Sequence, residues 1–172
     1  SAEVDNLLGK RELEEILAIA LQEGGDYADI FLEEKVNNVI SCEADRIERI
    51  NSGREAGAGV RVLAGDSTAY AYTNDLSLPA LKEAAYVASK AAAGQERGII
   101  DIDLCKREPR VDFEIIRRPE FVPVEEKVEA VIRGNRAARA VDRRIVQVIV
   151  GYSDVRQRIK LANSKGDLVE DE

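Results

Sequence analysis

The stretch GREAGAGVRVLAGDSTAYAYTND at residues 53–75 constrains the fold more than any other part of the chain. Val60, Val62 and Leu63 give a strand pattern, Gly65-Asp66 is a two-residue hairpin signal, and residues 67–73 resume the strand. If Ala64 and Ser67 flank the loop, Leu63 faces Thr68, Val62 faces Ala69 and Arg61 faces Tyr70. Val60, Val62, Ala69 and Ala71 then share one small apolar face suited to close packing under a helix. Arg61, Leu63, Tyr70 and Tyr72 share the other, chemically richer face. Gly57 and Gly59 signal close backbone approach or a bulge where the strand enters.

The rest of the sequence narrows what such a hairpin can serve. With 5% aromatic residues and no Trp, a core must be aliphatic and rich in Ala. A formal net charge of -8 argues against nucleic acid or an anionic membrane as the main partner. No stretch approaches the roughly 20 apolar residues of a membrane span, and neither end reads as a signal peptide. Cys42 and Cys105 sit in no CxxC pattern, so they read as packing residues of a reduced, intracellular protein. The chain has 0 His. That excludes Ser-His-Asp and Cys-His chemistry and every His-ligated metal site within it. A carboxylate site, a Lys nucleophile or a backbone anion nest remain possible in principle.

In chain order, residues 10–23 predict an amphipathic helix with Leu13, Ile16, Leu17, Ala20 and Leu21 on one side, closed by Gly24-Gly25. ADIFLEEK follows as a strand with Ile30 and Leu32 inward and Asp29, Phe31 and Glu33 on the opposite face. Residues 36–38 read as a bend. NVISCEADRIERI reads as a second strand, interrupted near Ala44-Asp45 by a bulge or turn, and Asn51-Ser52-Gly53 closes it. Four antiparallel strands in succession are therefore expected. Ser77 caps a helix with Pro79 in its first turn and Leu81, Ala84, Ala85 and Ala88 buried, ending at Gly94.

Residues 95–121 read as a charged, proline-interrupted connector whose best strand candidate is VDFEII. Asp101 and Asp103 alternate there, a weak cation signal without further ligands. A third helix begins at Pro123-Val124 with acids in its first turn. Val124, Val128, Val131 and Ile132 line one side, and Arg133, Arg136 and Arg139 form a solvated or salt-bridged face. RRIVQVIVGYSD and VRQRIKLANSKGDLVEDE then repeat the strand, polar turn, strand pattern of the first half, a similarity of pattern rather than identity. The expected fold class is α+β: mainly antiparallel sheet with helices packed on one face, the repeated pattern suggesting two related helix-strand-strand units. Residues 1–94 would hold the first helix, a four-stranded antiparallel meander and the Ala-rich helix; 95–122 a connector; 123–172 the truncated start of a second unit.

The order of YADIFLEEK, EADRIERI, GAGVRVLAGDSTAYAYTNDLSLPALKEAA and the closing RRIVQVIVGYSDVRQRIKLANSKGDLVEDE resembles the N-terminal part of the TldD/PmbA family. Gly57, Gly59 and Arg61, the YTND at 72–75 and LANSKGDLVED at 161–171 are its distinctive pieces, the last nearer the TldD branch. The resemblance implies a cytoplasmic zinc metalloprotease acting on unfolded peptides such as microcin precursors and small antitoxins. Members have also been labelled modulators of DNA gyrase. It implies a PmbA/TldE-type partner subunit or a homodimer, and an HExxxH zinc motif in the half of the protein after the segment seen here. No catalytic, cofactor-binding or metal-binding residue can be carried onto a chain without His.

Three functions compete on the sequence: a non-catalytic N-terminal portion of a TldD-type peptidase, shaping substrate access or the subunit interface; a free-standing acidic protein-interaction module; and a self-contained carboxylate enzyme. The acid pairs Glu33-Glu34 and Glu125-Glu126 mark no shared pocket for the last. Arg61, Tyr70 and Tyr72 are the candidate interface or substrate-path residues. Arg61 is expected to cover sheet with its stem and pair its head with an acid. The last strand, near residues 156–163, is expected to leave Ile159 and Leu161 at an open edge, with the tail trailing or the chain pairing with a copy of itself.

Overall fold

The computed structural model describes residues 8–92, 101–108 and 115–172. In chain order they form α1 (Lys10–Leu21), β1 (Tyr27–Glu43), β2 (Arg46–Ala64), β3 (Ser67–Thr73), α2 (Leu78–Ala92), β4 (Cys105–Arg107), a 3-10 turn at Pro119–Phe121, α3 (Val124–Ala140), β5 (Ile149–Asn163) and β6 (Asp167–Asp171). The strands make a 6-stranded sheet in the order β3-β2-β1-β5-β6-β4. β2/β3 and β5/β6 pair antiparallel and β4/β6 parallel, so the fold is α+β with a mixed, mostly antiparallel sheet.

The β2–β3 hairpin has the register its sequence predicts: Ala64 opposite Ser67, Val62 opposite Ala69 and Arg61 opposite Tyr70. Gly65 takes φ +56°, and its N–H donates to Asp26 Oδ2 at 2.7 Å. Up to and including this hairpin, the expected four strands are three. Residues 36–38 do not bend, and residues 51–53 do not close a strand. Within β1, Asn38 spends its side chain on Asp154, Nδ2 to Oδ1 2.8 Å. At Gly53 a Cβ would stand 2.5 Å from Asn37 Oδ1, so this glycine leaves room for an Asn side chain within a strand. The one reversal is at Ala44-Asp45, with φ of 48° and 63°.

The second half also departs from expectation. Of VDFEII, residues 111–114 lie outside the described residues, as does Gly94, and Ile115 and Ile116 are exposed and in no strand. The connector's strand is instead Cys105–Arg107, started by a Cys105 N–H to Gly166 O bond of 2.6 Å. Residues 143–154 are not a separate strand: β5 begins at Ile149 and runs unbroken through Ser153-Asp154. The tail forms β6, with Leu161 paired to Val169 and Ile159 to Asp171. Since β5 lies between β1 and β6, it is not an edge, and self-association through it loses its structural ground. Apolar Leu168, buried at 7%, is what turns a charged tail into a strand.

The chain divides into two compact units: Ser1–Glu34 with Ala56–Val111 and Arg158–Glu172, and Lys35–Glu55 with Asp112–Gln157. In the first, the whole predicted stripe of α1 is buried together with Ala28, Ile30 and Leu32 of β1, Val60 and Val62 of β2, and Leu81, Ala84, Ala85 and Ala88 of α2. Each fully buried Leu or Ile contributes about 1.5–3 kcal/mol. Gly24 turns the chain out of α1 at φ +96°, and Gly25 lets Val62 approach to where a Cβ would sit 2.6 Å away. The second unit has a small apolar core of Ile40, Cys42 and Val131, flanked by Ile47, Val128, Val150 and Tyr152.

Candidate functional site

Alternation along β1, β2 and β3 puts the apolar set of the first unit under its helices and leaves the opposite sheet face to polar and aromatic groups. On that face the small residues matter as much as the large. Gly59 lies beneath Tyr70: a Cβ there would fall 1.9 Å from the phenol oxygen. The Tyr70 ring therefore leans across the sheet, and Tyr72 stacks beside it with ring centroids 6.4 Å apart and planes 26° from parallel. Both stay open to solvent, Tyr70 at 64% and Tyr72 at 81%. With Phe31, Glu33 and Gly57 they line an open groove of about 680 Å³. Among the described residues of that lining, Glu33 is the charged side chain.

Arg61 faces Tyr70 but does not line the groove. Its Nε donates to Asp29 Oδ2 at 3.0 Å, and its Nη2 donates to the same oxygen. The Asp29 side chain is only 12% exposed and the Arg61 side chain 49%. The guanidinium is held further above its ordinary range by this hydrogen bond and charge. Neighbouring Tyr27 has its phenol pushed up, first by burial and then by the Asp29 charge. Lys165 Nζ lies 5.7 Å from the Tyr27 ring centroid. The structure thus brings Tyr70 and Tyr72 into one surface and gives Arg61 the acid partner its position suggested.

A second polar cluster escaped the sequence reading. In the second unit α3 buries Lys127, Val131 and Asn135, spaced by four, while Val124 is exposed at 44%. Lys127 Nζ donates to Asp154 Oδ2 at 2.7 Å, with side chains 7% and 9% exposed. Tyr152 Oη donates to the same oxygen at 2.7 Å. Burial alone would raise the Asp154 carboxyl; bonds from Asn38, Lys127 and Tyr152 together outweigh it and hold the carboxyl below its usual range. Burial, then the Asp154 bond, push the Tyr152 phenol up to about 12. Asn135 Nδ2 donates to Asp45 Oδ1, and Arg139 Nε lies 3.4 Å from the same oxygen. A stripe scored on apolar residues alone misses this face. Identical spacing of Lys127, Val131 and Asn135 was the available signal.

Among the described residues no three His, Cys, Asp or Glu side chains assemble into a metal site. Asp103 accepts from Lys10 Nζ at 2.6 Å rather than sharing a cation with Asp101. Cys42 is free and buried, Cys105 free and exposed. Glu33 lines the groove and Glu34 is buried at 6%. Glu126 is held by both Nη atoms of Arg117. No helix among the described residues is long and apolar enough to cross a membrane.

Residues 28–92 match the PmbA/TldA metallopeptidase domain 1, and residues 117–172 match the PmbA/TldA metallopeptidase central domain. The chain belongs to the TldD/PmbA family. A metalloprotease TldD homolog of Buchnera aphidicola is 27% identical over 146 residues, covering 85% of this chain and 30% of the relative. A metalloprotease of Methanothermobacter thermautotrophicus is 33% identical over 148 residues, covering 84% of this chain and 31% of the relative. The chain thus spans about a third of the length of the curated relatives it matches. The fold is shared with a Thermotoga maritima protein described as a candidate modulator of DNA gyrase, at TM-score 0.71 and 19% identity over 94% of this chain and 36% of that one. TldE from Thermococcus kodakarensis aligns at TM-score 0.65 and 18% identity over 93% and 36%.

Proposed function

We propose that this chain is a non-catalytic portion of a zinc metallopeptidase that degrades or processes unfolded peptides. It shapes substrate access or the subunit interface while residues outside these 172 carry the metal and the hydrolysis. The observation that supports this reading is the match to two successive domains of a metallopeptidase family in a chain with 0 His. Zinc sites of peptidases draw on imidazoles and carboxylates. The donors present do not fit such a site, so no step of hydrolysis is routed through these residues. To the exposed Tyr70 and Tyr72, with Arg61 beside them, we assign contact with a peptide or a partner subunit, either a TldE-type chain or a second copy; their exposure on one sheet face supports the assignment. A cytoplasmic location follows from the same family reading.

The test compares this chain with the longer protein that carries it, each incubated with an unfolded peptide substrate such as casein, with and without a zinc chelator. Cleavage by the longer protein, abolished by the chelator and absent from this chain, is the expected result. Chelator-sensitive cleavage by this chain alone overturns the non-catalytic assignment. A longer protein that cleaves nothing and lacks an HExxxH segment overturns the peptidase reading in favour of an acidic interaction module.

A further inference from the structure

We propose that the outer edge of β3 is a self-pairing surface, on which two copies of this chain join antiparallel, strand to strand, about a two-fold axis at Tyr70. The two ends of the sheet differ in how they are protected. β4 is 3 residues long and carries Lys106 and Arg107, so shortness and charge both blunt it. β3 is 7 residues long, reads STAYAYT, and has no charge, proline or glycine. It pairs with β2 residue for residue from Ser67 to Thr73, without a bulge. Among the described residues no strand lies beyond it. A regular, uncharged edge of Thr and Tyr at this length is a template for another strand.

The hairpin fixes which backbone groups that edge offers. Ala64 and Ser67 flank the two-residue loop and exchange the first cross-strand bonds. Alternation then turns the N–H and C=O of Thr68, Tyr70 and Tyr72 away from β2. Leu63 shows the alternation, its carbonyl accepting from the Asp26 N–H rather than from β3. The Tyr70 ring leans toward β2 over Gly59 and leaves the edge clear. A second copy fits this pattern. With Tyr70 opposite its own counterpart, Thr68 falls opposite Tyr72, and outward residues meet outward residues along the whole strand. Thr68 and the 81% exposed Tyr72 then form an aromatic–β-branched pair, of a kind that stabilises adjacent strands, once on each side of the axis. On the face that packs under α2, Ala69 falls opposite Ala71 and adds no bulk. The nearest charges do not collide, since Asp66 falls opposite Asn74 and Asp75 opposite Gly65. Closure about the axis uses both β3 edges and leaves only the two blunted β4 ends. The inference names a second copy as the partner in the interface reading above and rests on that reading, but takes nothing from hydrolysis.

Sedimentation equilibrium and amide hydrogen exchange on this chain, each over a range of concentrations, test the proposal. Dimers are expected with a dissociation constant below about 1 mM. The amides of Thr68, Tyr70 and Tyr72 are expected to exchange at least about fivefold more slowly when dimeric, while those of Ala69 and Ala71, already bonded to β2, change little. Tyr70→Lys and Tyr70→Glu each set like charges face to face across the axis and are expected to weaken the dimer at least about tenfold. An equimolar mixture of these two variants is expected to restore it. Tyr70→Gln, neutral and without the ring, is expected to stay within about threefold of the parent, which separates charge from loss of the ring over Gly59. The melting temperature verifies folding of each variant. A chain still monomeric at about 1 mM overturns the proposal, as does concentration-dependent protection confined to other amides. So do folded Lys and Glu variants that dimerise like the parent, or whose mixture stays monomeric. Outward β3 amides that respond to an added unfolded peptide and not to concentration assign the edge to a peptide and overturn it too. Because the test reads association and no hydrolysis, its failure leaves the peptidase reading standing, and failure of the peptidase test leaves self-association measurable.

Discussion

Tyr152 shows what a half-buried hydroxyl does when its partner is an anion. Its Oη donates to Asp154 Oδ2, and ionising the phenol would lose that bond and set two negative charges together in a buried place. The native state therefore holds the proton up to about 12, against an ordinary tyrosine value near 10. The sign follows from linkage: a group that binds its proton more tightly when folded contributes stability fully present below the unfolded pKa and lost as pH rises toward the folded one. The chain contains 5 Tyr. In a phenolate absorbance titration one of them is expected to ionise near 12, and Tyr152→Phe is expected to delete that late step. It should also remove the part of the stability loss that falls between about pH 10 and pH 12. A late-titrating tyrosine that survives in Tyr152→Phe would refute the assignment. The sequence near Tyr152 did not announce this, because Asp154 gathers Tyr152, Lys127 and Asn38 from three separate elements. Arg61 was more legible: an arginine mid-strand among small apolar residues needs an acid, and Asp29 was already placed on the outward face of its strand.

At the level of elements, the reversals at Gly65-Asp66 and Ala44-Asp45 stand where the sequence marks an interruption, whereas the bend at residues 36–38 and the break at Asn51-Ser52-Gly53 do not form. Gly65-Asp66 closes β2–β3 in the predicted register, whereas β1–β2 closes on Ala44-Asp45, two non-glycine residues at positive φ. A two-residue loop with positive φ at both positions, as here, suits Gly or Asn, and Ala has no side-chain group to stabilise it there. The turn persists because α3 holds it from outside: Asn135 and Arg139 both reach Asp45. Asp45 thus has a reason to stay, and Ala44, exposed, has none. Ala44→Gly or Ala44→Asn is expected to raise stability by about 0.5–1 kcal/mol, through relief of the left-handed conformation. Urea denaturation reads this directly; a midpoint that falls for both variants would show that the methyl group packs usefully despite its exposure. The same dependence explains why α3 was only half legible. Its acids, its start and Val131 follow from local rules, but a face that buries Lys127 and Asn135 is decided by acids on other elements.

The whole molecule is built from two units that solve the burial problem differently. The first buries a broad aliphatic set drawn from α1, α2 and the strands, the kind of core that periodicity reveals, and its helices and inward residues were accordingly readable. Among the described residues, the second buries Ile40, Cys42 and Val131 as its apolar core and adds the Lys127–Asp154–Tyr152–Asn38 cluster to them. A buried ion pair returns little net free energy after desolvation, although breaking it by removing one partner costs about 3–5 kcal/mol. The second unit should therefore be the less stable, opening locally while the first stays closed. In native-state hydrogen exchange, amides of α3 are expected to exchange at least about tenfold faster than those of α1 and α2. The gap should widen in Lys127→Met, which leaves the Asp154 carboxylate without its cation. Acid should widen it as well. A carboxyl held below its ordinary value contributes stability that is present above that value and disappears as pH falls through the folded one. Equal protection of α1 and α3 at neutral pH, unchanged by Lys127→Met, would mean that the polar cluster is as strong as the aliphatic core and that the two units unfold as one.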